Sequence, residues 1–332
     1  MILAGDIGGT KVNLGLFRRE GADLRLVVDA AFPSRRYAGL AEVVREFLST
    51  QGAPRVAAAA FGVAGPVRHG VGRLTNLPWL LHEVELAAEL GLAPGRLRLL
   101  NDLEANAWGL RQLAAEDFVT LNPGDPAAEG HQAIIAAGTG LGEAGLFWDG
   151  HRHLPYPCEG GHATFGPMNA LDAELFGYLH RRDGHVSWEK VLSGMGLVNI
   201  YEFLCATGRG TEPAGFAESL AGGDAAAAIA RAAGEGTGTR CAQALAMMVR
   251  YYGAEAGNLA LKLMATGGVF LGGGIAPKIL PQLRQPEFMA GFLEHGPMRP
   301  LLAGIPVRVV LNAKTALLGA AHVAALPATA TA

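Results

Sequence analysis

The sequence predicts an α/β protein made of two related domains. Apolar runs of the length of buried strands alternate with amphipathic helices along the chain. A pattern of apolar strand, Gly-Thr turn and second apolar strand opens the chain at residues 2–17 and returns at residues 132–148, with Thr10 matching Thr139. This indicates an internal repeat. Half of the 332 residues are apolar and 17% are charged, so a sizeable core can be buried.

The periodicity of apolar residues and the positions of turn residues predict the strands and helices along the chain. Only Gly-Gly-Thr separates the apolar runs 2–7 and 11–17, which is typical of a hairpin. The Gly-Thr-Gly turn at 138–140 predicts a second hairpin between residues 132–137 and 141–148. Further strands are predicted at 55–65, 95–100, 267–274 and 305–311, and a strand followed by a loop at 72–79. Helices are predicted at 40–49, 82–91, 101–113, 187–194, 196–208, 238–263, 275–285 and 312–326.

Composition excludes several classes of protein. The formal net charge is −3 and the charges are dispersed, which argues against nucleic acid or a membrane surface as partner. Cys158, Cys205 and Cys241 lie far apart, so neither a disulfide framework nor a structural zinc is expected. The first residues have no basic region and no long apolar run, unlike a signal peptide. We expect a cytoplasmic protein.

The glycines Gly140-x-Gly142-x-x-Gly145 have the spacing of a dinucleotide-binding fingerprint. That fingerprint requires a helix after the glycines, whereas here "LFWDG" predicts a strand and a turn. The segment does not match a Walker A motif either, because Thr10 precedes Lys11 where that motif has a glycine before its lysine. We therefore do not expect NAD to bind here.

The two Gly-Thr turns have the chemistry of a polyphosphate site. Glycine-rich turns expose backbone N–H groups and let an anion come close, and threonine adds a hydroxyl donor. Asp6 in the first turn would repel phosphate unless it holds Mg²⁺ through water. Each turn alone could be merely a tight hairpin; the repeat and Asp6 together favour phosphate binding.

Asp102 is the candidate catalytic residue. It follows a predicted strand and opens a helix, with Asn101 as a plausible N-cap. The helix dipole favours its charged form, and ligands of α/β sheets bind beyond the carboxyl ends of strands. An ionised carboxylate there could accept the proton of a hydroxyl as phosphoryl transfer proceeds. From the residues alone, a purely capping role is about as plausible.

Two further segments carry polar groups suited to a sugar. Glu159 and His162 of "EGGH" share a turn with no side-chain bulk between them, and a zinc site is disfavoured because no third ligand stands at helical spacing. Glu189 would ordinarily be a first-turn helix acid, capped by Ser187.

The chain resembles the bacterial glucokinases of the sugar kinase, actin and Hsp70 ATPase superfamily. The motifs run in order from residue 2 to about 320: "GDIGGTKVNLGLF", "FGVAGPV", "TNLPW", "NDLEANAWG", "GTGLG", "EGGH", "EKVLSGMGLVNIY" and "GGVFLGGGIAPK". The resemblance implies ATP-dependent phosphorylation of glucose at its 6-hydroxyl. It also implies two ribonuclease H-like, actin-like domains around an active-site cleft and a homodimer.

The resemblance also implies roles for residues. Asp102 would be the general base, and Mg²⁺ would be held by Asp6 through water. The sugar would be bound by Asn76, Asn101, Asp102, Glu159, His162 and Glu189. The nucleotide would be bound by Gly5, Asp6, Gly8, Gly9, Thr10 and Lys11 of the first turn, by Gly138, Thr139 and Gly140 of the second, and by Gly272, Gly273 and Gly274 beside the adenosine.

The expected domains are residues 1–112 with 312–332, and 113–311. Lys11 departs from these glucokinases, most of which have Asn there, and "DIGGTK" resembles the related repressor, ORF and kinase (ROK) family. The Cys-rich zinc motif of that family is not seen. The alternatives are a kinase of mannose, fructose or an N-acetylated hexosamine, a non-catalytic sugar sensor, and an actin-type ATPase.

Overall fold

The computed structural model describes residues 1–327 apart from 22, 75–76 and 221–222. Strands and helices alternate in it, so the predicted α/β class is confirmed. The chain divides into two compact units. Unit 1 contains Met1–Ala115 and the segment that begins at Asn312, and unit 2 contains Glu116–Leu311.

The strands are, in chain order, β1 (Ile2–Ile7), β2 (Lys11–Glu20), β3 (Asp23–Pro33), β4 (Ala58–Val63), β5 (Val67–Arg68), β6 (Val71–Arg73), β7 (Leu80–His82), β8 (Leu97–Asn101), β9 (Phe118–Asn122), β10 (Gln132–Ala137), β11 (Leu141–Trp148), β12 (His153–Cys158), β13 (Gly268–Gly272) and β14 (Val307–Val310). The α-helices are α1 (Leu40–Thr50), α2 (Glu83–Glu89), α3 (Asp102–Gly109), α4 (Ala170–Asp183), α5 (Gly194–Ala206), α6 (Phe216–Ser219), α7 (Ala225–Glu235), α8 (Thr239–Leu263), α9 (Leu280–Leu283), α10 (Pro286–Leu293), α11 (Arg299–Ala303) and α12 (Thr315–Ala325).

Unit 1 is built on a sheet of order β3-β2-β1-β4-β8. Strand β2 runs antiparallel to both β1 and β3, whereas β4 pairs in parallel with β1 and with β8. Helix α12 returns from the end of the chain and packs on α3. A Cβ at Gly319 would lie 1.8 Å from the carbonyl oxygen of Ala105. Glycine is therefore required where these two helices touch.

Unit 2 repeats this order with β12-β11-β10-β13-β14 and adds β9 at the far edge. Here too an antiparallel hairpin, β10 with β11, leads into parallel strands. The long helix α8 lies in the core, where Tyr251 and Tyr252 are fully buried. The internal repeat predicted from the two Gly-Thr hairpins is thus confirmed by the sheet topology.

Two predicted helices are shorter than expected. Residues 187–194 form only a single 3₁₀ turn, Trp188–Lys190, because the extended Ser193 ends the segment and caps α5 by accepting from the N–H of Gly196 at 3.0 Å. Within residues 275–285 only Leu280–Leu283 is α-helical, since Pro277 and Pro281 lack the N–H that a continuous helix needs. Strands β3, β5, β7, β9 and β12 and helices α4, α6, α7, α10 and α11 were not predicted.

Candidate active site

The first Gly-Thr turn is held in one conformation by backbone bonds and by Ser34. The N–H of Gly8 donates to the carbonyl of Lys11 at 3.0 Å, which closes the turn. Buried Ser34 donates its hydroxyl to Gly8 O at 2.8 Å and its N–H to Thr10 O at 3.0 Å. Thr10 is exposed and Gly9 is half-buried, so this preformed turn is open to a ligand.

Gly5 and Asp6 precede the turn and have different surroundings. A Cβ at Gly5 would lie 2.6 Å from a ring carbon of Phe61, so this glycine is required for packing inside the sheet. Asp6 accepts a hydrogen bond from the side-chain amide of Asn13 at 3.1 Å. Burial raises the pKa of the Asp6 carboxyl, while Asn13 and the charge of Lys11 oppose that rise.

A desolvated carboxylate of this kind fits Mg²⁺. Magnesium in phosphoryl-transfer sites is bound by one or two carboxylates, by waters and by the substrate phosphates. Within the described residues no group of three or more His, Cys, Asp and Glu side chains could hold a metal.

Asp102 is the first residue of α3, and a reciprocal cap fixes the turn around it. The side-chain oxygen of Asn101 accepts from the N–H groups of Leu103 at 2.9 Å and Glu104 at 3.3 Å. The carboxyl of Glu104 in turn accepts from the N–H of Asn101. This is the arrangement of a capping box. The predicted cap at Asn101 is confirmed, and Glu104, three residues later, is the sequence signal that was overlooked.

The sheet of unit 1 brings the first turn and Asp102 to the same edge. In the parallel register Ile7 pairs with Val63, and Val63 pairs with Asn101. The turn after β1 and the helix after β8 therefore begin in one row, at the carboxyl ends of their strands. Gly62 allows α3 to start close to the sheet, because a Cβ there would lie 2.7 Å from the Cβ of Ala105.

In unit 2 the second Gly-Thr turn contacts Glu189 directly. The N–H of Gly138 donates to Gly140 O at 2.8 Å, and the N–H of Gly194 donates to Gly138 O at 2.9 Å. A carboxylate oxygen of Glu189 accepts from the N–H of Leu141 at 3.0 Å, and a Cβ at Gly140 would lie 2.4 Å from that oxygen. Thr139 is exposed at the tip.

The glycines 272–274 lie against the strand that leads into this turn. Gly273 has a φ of 78°, and a Cβ there would lie 2.4 Å from the carbonyl oxygen of Ala137. The N–H of Ile275 donates to that same carbonyl at 3.1 Å. Gly272 ends β13, and Gly274 is exposed with no heavy atom near the position of a Cβ. Residues 272–274 therefore expose main-chain atoms, with no side chains, beside the second Gly-Thr turn.

The segment Glu159–His162 packs on the start of β11. A Cβ at Gly161 would lie 2.1 Å from the carbonyl oxygen of Leu141, so the loop approaches the strand as closely as backbone allows. Glu159 and His162 are exposed on either side of the two glycines. Leu141 thus contacts Gly161 through its carbonyl and Glu189 through its N–H, so the loop that carries Glu159 and His162 and the carboxylate of Glu189 both lie beside this residue.

Ser187 makes no side-chain hydrogen bond at the start of the 3₁₀ turn, so its expected capping role is wrong. Asn76 lies outside the described residues.

The glycine spacing at 140–145 runs into β11, which pairs antiparallel with β10. The glycines therefore belong to a hairpin. They do not precede a helix that could receive a pyrophosphate.

Comparison with known proteins agrees with these features over the whole chain. A family model described as Glucokinase matches residues 3–327. The chain belongs to the glucokinase family. A glucokinase of a Nostoc species is 42% identical to the chain over 98% of its length and 99% of the relative's. The resemblance drawn from the ordered motifs is thereby confirmed, and the chain is an enzyme that phosphorylates glucose with ATP.

Solved glucokinases share the fold. The enzyme from an Antarctic psychrotroph is 29% identical, with a TM-score of 0.81 over 96% of this chain and 97% of that one. The glucokinase of Balamuthia mandrillaris, solved in complex with glucose, is 25% identical, with a TM-score of 0.74 over 97% and 93% of the two chains. None of the helices in the described part of the chain is long and apolar enough to cross a membrane.

Proposed function

We propose that Asp102 is the general base in the transfer of the γ-phosphoryl group of ATP to the 6-hydroxyl of glucose. The observation that carries the proposal is the capped turn of α3, which fixes a carboxylate at the carboxyl end of β8. In the reaction the hydroxyl proton passes to Asp102 while the sugar oxygen bonds to the γ-phosphorus and the bond to the ADP oxygen breaks.

The remaining residues divide between the two substrates. The Gly8–Thr10 and Gly138–Gly140 turns bind phosphate oxygens through backbone N–H groups and threonine hydroxyls. Bound Mg²⁺, held through water by Asp6, would neutralise charge on the transferring phosphate. Gly272–Gly274 lie beside the adenosine.

Polar groups of planar shape bind the sugar. The carboxylates of Glu159 and Glu189 accept hydrogen bonds from hydroxyls, and the ring of His162 and the amide of Asn101 complete the recognition. Asn76 is proposed to contribute on the basis of the family motif alone. The family resemblance also supports a cytoplasmic homodimer, and light scattering of the purified protein tests the dimer.

Substitution of Asp102 by Asn tests the base directly. The amide keeps the size of the carboxyl and can still accept from the N–H of Leu103, as Asp102 does at 3.0 Å, but it takes no proton at neutral pH. We expect the glucose dissociation constant to change little, while turnover falls about 10²–10⁴-fold. That loss corresponds to roughly 3–5 kcal/mol of transition-state stabilisation.

Glu159→Gln is the matched control, because a residue used for recognition affects glucose binding as well as turnover. Turnover numbers from a coupled ADP assay and glucose dissociation constants from calorimetry give both quantities. An Asp102→Asn enzyme that retains more than about a tenth of wild-type turnover lies outside the range of a lost base and would end this assignment.

A further inference from the structure

Two glutamates that the reaction above does not use lie together in the core of unit 2. Glu143 of β11 is 1% exposed and Glu255 of α8 is 0% exposed. Their carboxyl groups interact directly. Two buried carboxylates at such close range are strongly disfavoured unless one of them keeps its proton.

The hydrogen bonds show which carboxyl is charged. Glu255 accepts from the side-chain amide of Asn258 at 2.8 Å and faces the ammonium of Lys262 at 3.5 Å. Glu143 has an oxygen, Oε1, that accepts no hydrogen bond from any described residue. Burial raises the pKa of Glu255 as well, but Asn258 and Lys262 favour its charged form. Glu255 is therefore the ionised partner, and neutral Glu143 donates its O–H to it. Burial, followed by the charge of Glu255, raises the pKa of Glu143 to about 8.

The loop with the sugar-binding residues rests on Glu143. A Cβ at Gly160 would lie 1.8 Å from Glu143 Oε2, so the backbone of the loop lies directly against the carboxyl. Gly160 stands between Glu159 and His162, and Glu143 pairs with Cys158 in the β11–β12 register. Any displacement of this carboxyl therefore moves the loop.

We infer that the neutral Glu143 carboxyl, hydrogen-bonded to Glu255, is a positioning residue for Glu159 and His162. The inference rests on the proposed role of those two residues in glucose binding. A second negative charge at Glu143 would repel Glu255 and force the carboxyl against the Gly160 backbone, where no space is left.

The other titratable groups around Glu143 predict the direction of the pH effect. Lys262 and Glu255 of α8 face it from one side, and Cys158 of β12 faces it from the other, with Glu159 acting on the Cys158 thiol. Burial raises the pKa of the Cys158 thiol further above its usual value, so this thiol ionises after Glu143. Loss of the Glu143 proton is thus the first change in this cluster as the pH rises above 7.

Calorimetry of glucose binding between pH 7 and pH 9 tests the inference. In the wild type the glucose dissociation constant should rise about tenfold over this range, because the neutral fraction of a group with a pKa near 8 falls by that factor. Binding near pH 9 should take up protons, seen as a dependence of the heat on the ionisation enthalpy of the buffer. Glu143→Gln stays neutral and can donate to Glu255, so it should bind glucose tightly at both pH values without proton uptake.

Three further variants sharpen the test. Cys158→Ala should follow the wild type, which excludes the thiol as the source. Glu143→Ala should raise the glucose dissociation constant severalfold at pH 7 and leave that of ATP unchanged; if it fails to fold, Glu143→Gln still decides. A rise of the same size in Glu143→Gln, or weak binding by it at pH 7, would overturn the inference. Normal glucose binding by Glu159→Gln would overturn the proposed sugar site as well. If Glu159→Gln binds glucose weakly but the dissociation constant of Glu143→Gln still rises with pH as in the wild type, only the positioning role is overturned.

Discussion

Burial gives Glu104 a property that exposed helix caps lack. Its carboxyl accepts hydrogen bonds from Trp108 and from the N–H of Asn101, which favour the charged form, but desolvation outweighs both and raises its pKa to about 7. The residue that completes the cap beside Asp102 therefore changes its charge near neutral pH. Since an unfolded glutamate ionises near pH 4.3, the native state holds this proton over a window of more than two pH units.

Glu104→Gln should remove that pH dependence. Between about pH 4.5 and pH 7 the native wild type binds a proton that the unfolded chain has lost, so the stability of the wild type falls as the pH rises, by at most about 1.4 kcal/mol per pH unit. Glutamine completes a capping box without a charge. We expect the unfolding temperature of Glu104→Gln to exceed that of the wild type by an amount that grows from pH 5 to pH 7.5. Equal pH profiles of the two proteins in scanning calorimetry, with Glu42→Gln as an exposed control, would contradict this explanation.

At the scale of elements, each Gly-Thr hairpin is supported by a neighbour that follows later in the chain. Ser34 at the end of β3 holds the first turn, and Glu189 with the start of α5 holds the second. The turns are therefore preformed, which lowers the entropy lost when a phosphate binds. The two glycines of the second turn differ in their steric surroundings, and this difference can be tested.

Gly140→Ala should weaken glucose binding, whereas Gly138→Ala should not. A Cβ at Gly140 would lie 2.4 Å from the Glu189 carboxylate and would push it away from the N–H of Leu141. Gly138 has no heavy atom within 4 Å of the corresponding position. Glucose and ATP dissociation constants of both variants provide the comparison, with the effect of Gly138→Ala confined to ATP. Equal glucose affinities of the two variants would show that Glu189 does not act through this contact.

Across the whole molecule, the two units share one strand order in their sheets, but only one of them is made from a continuous stretch of chain. Unit 2 is continuous, whereas unit 1 needs α12, which follows unit 2 in sequence. Helices α3 and α12 touch through Gly109 and Gly319, whose missing side chains let the backbones meet. That each unit is a domain able to unfold separately stays a prediction.

Gly319→Ala should destabilise unit 1 selectively. The added Cβ would meet the Ala105 carbonyl oxygen at 1.8 Å, and a backbone atom cannot move aside as a flexible side chain can. Overpacking of this kind costs typically about 1–3 kcal/mol or more. Calorimetry should show the transition of unit 1 at lower temperature and that of unit 2 unchanged. Gly177→Ala in α4, where the nearest atom is the end of Arg181 at 3.5 Å, is the control and should be neutral or slightly stabilising. A single transition that shifts as a whole would show that the units unfold together.

The sequence predicted the parts of this fold that depend on local pattern. Both hairpins, the cap at Asn101 and the internal repeat follow from turn residues and apolar runs. Strand β3 alternates strictly between half-buried and exposed residues, a strand signal that was overlooked, whereas the edge strand β12 has no such alternation. Strand β12 even contains Pro155 and Pro157, which an edge can accommodate. Ser34 and the Glu143–Glu255 pair were missed because their roles depend on contacts far along the chain.

The position of α12 has a consequence for how the protein is made. A ribosome synthesises all of unit 2 after the strands of unit 1 and before the helix that packs on their sheet. The sheet of unit 1 must therefore wait through nearly two hundred residues with one face incomplete. During that interval the apolar side chains that α12 later covers are open to chaperones and to other nascent chains.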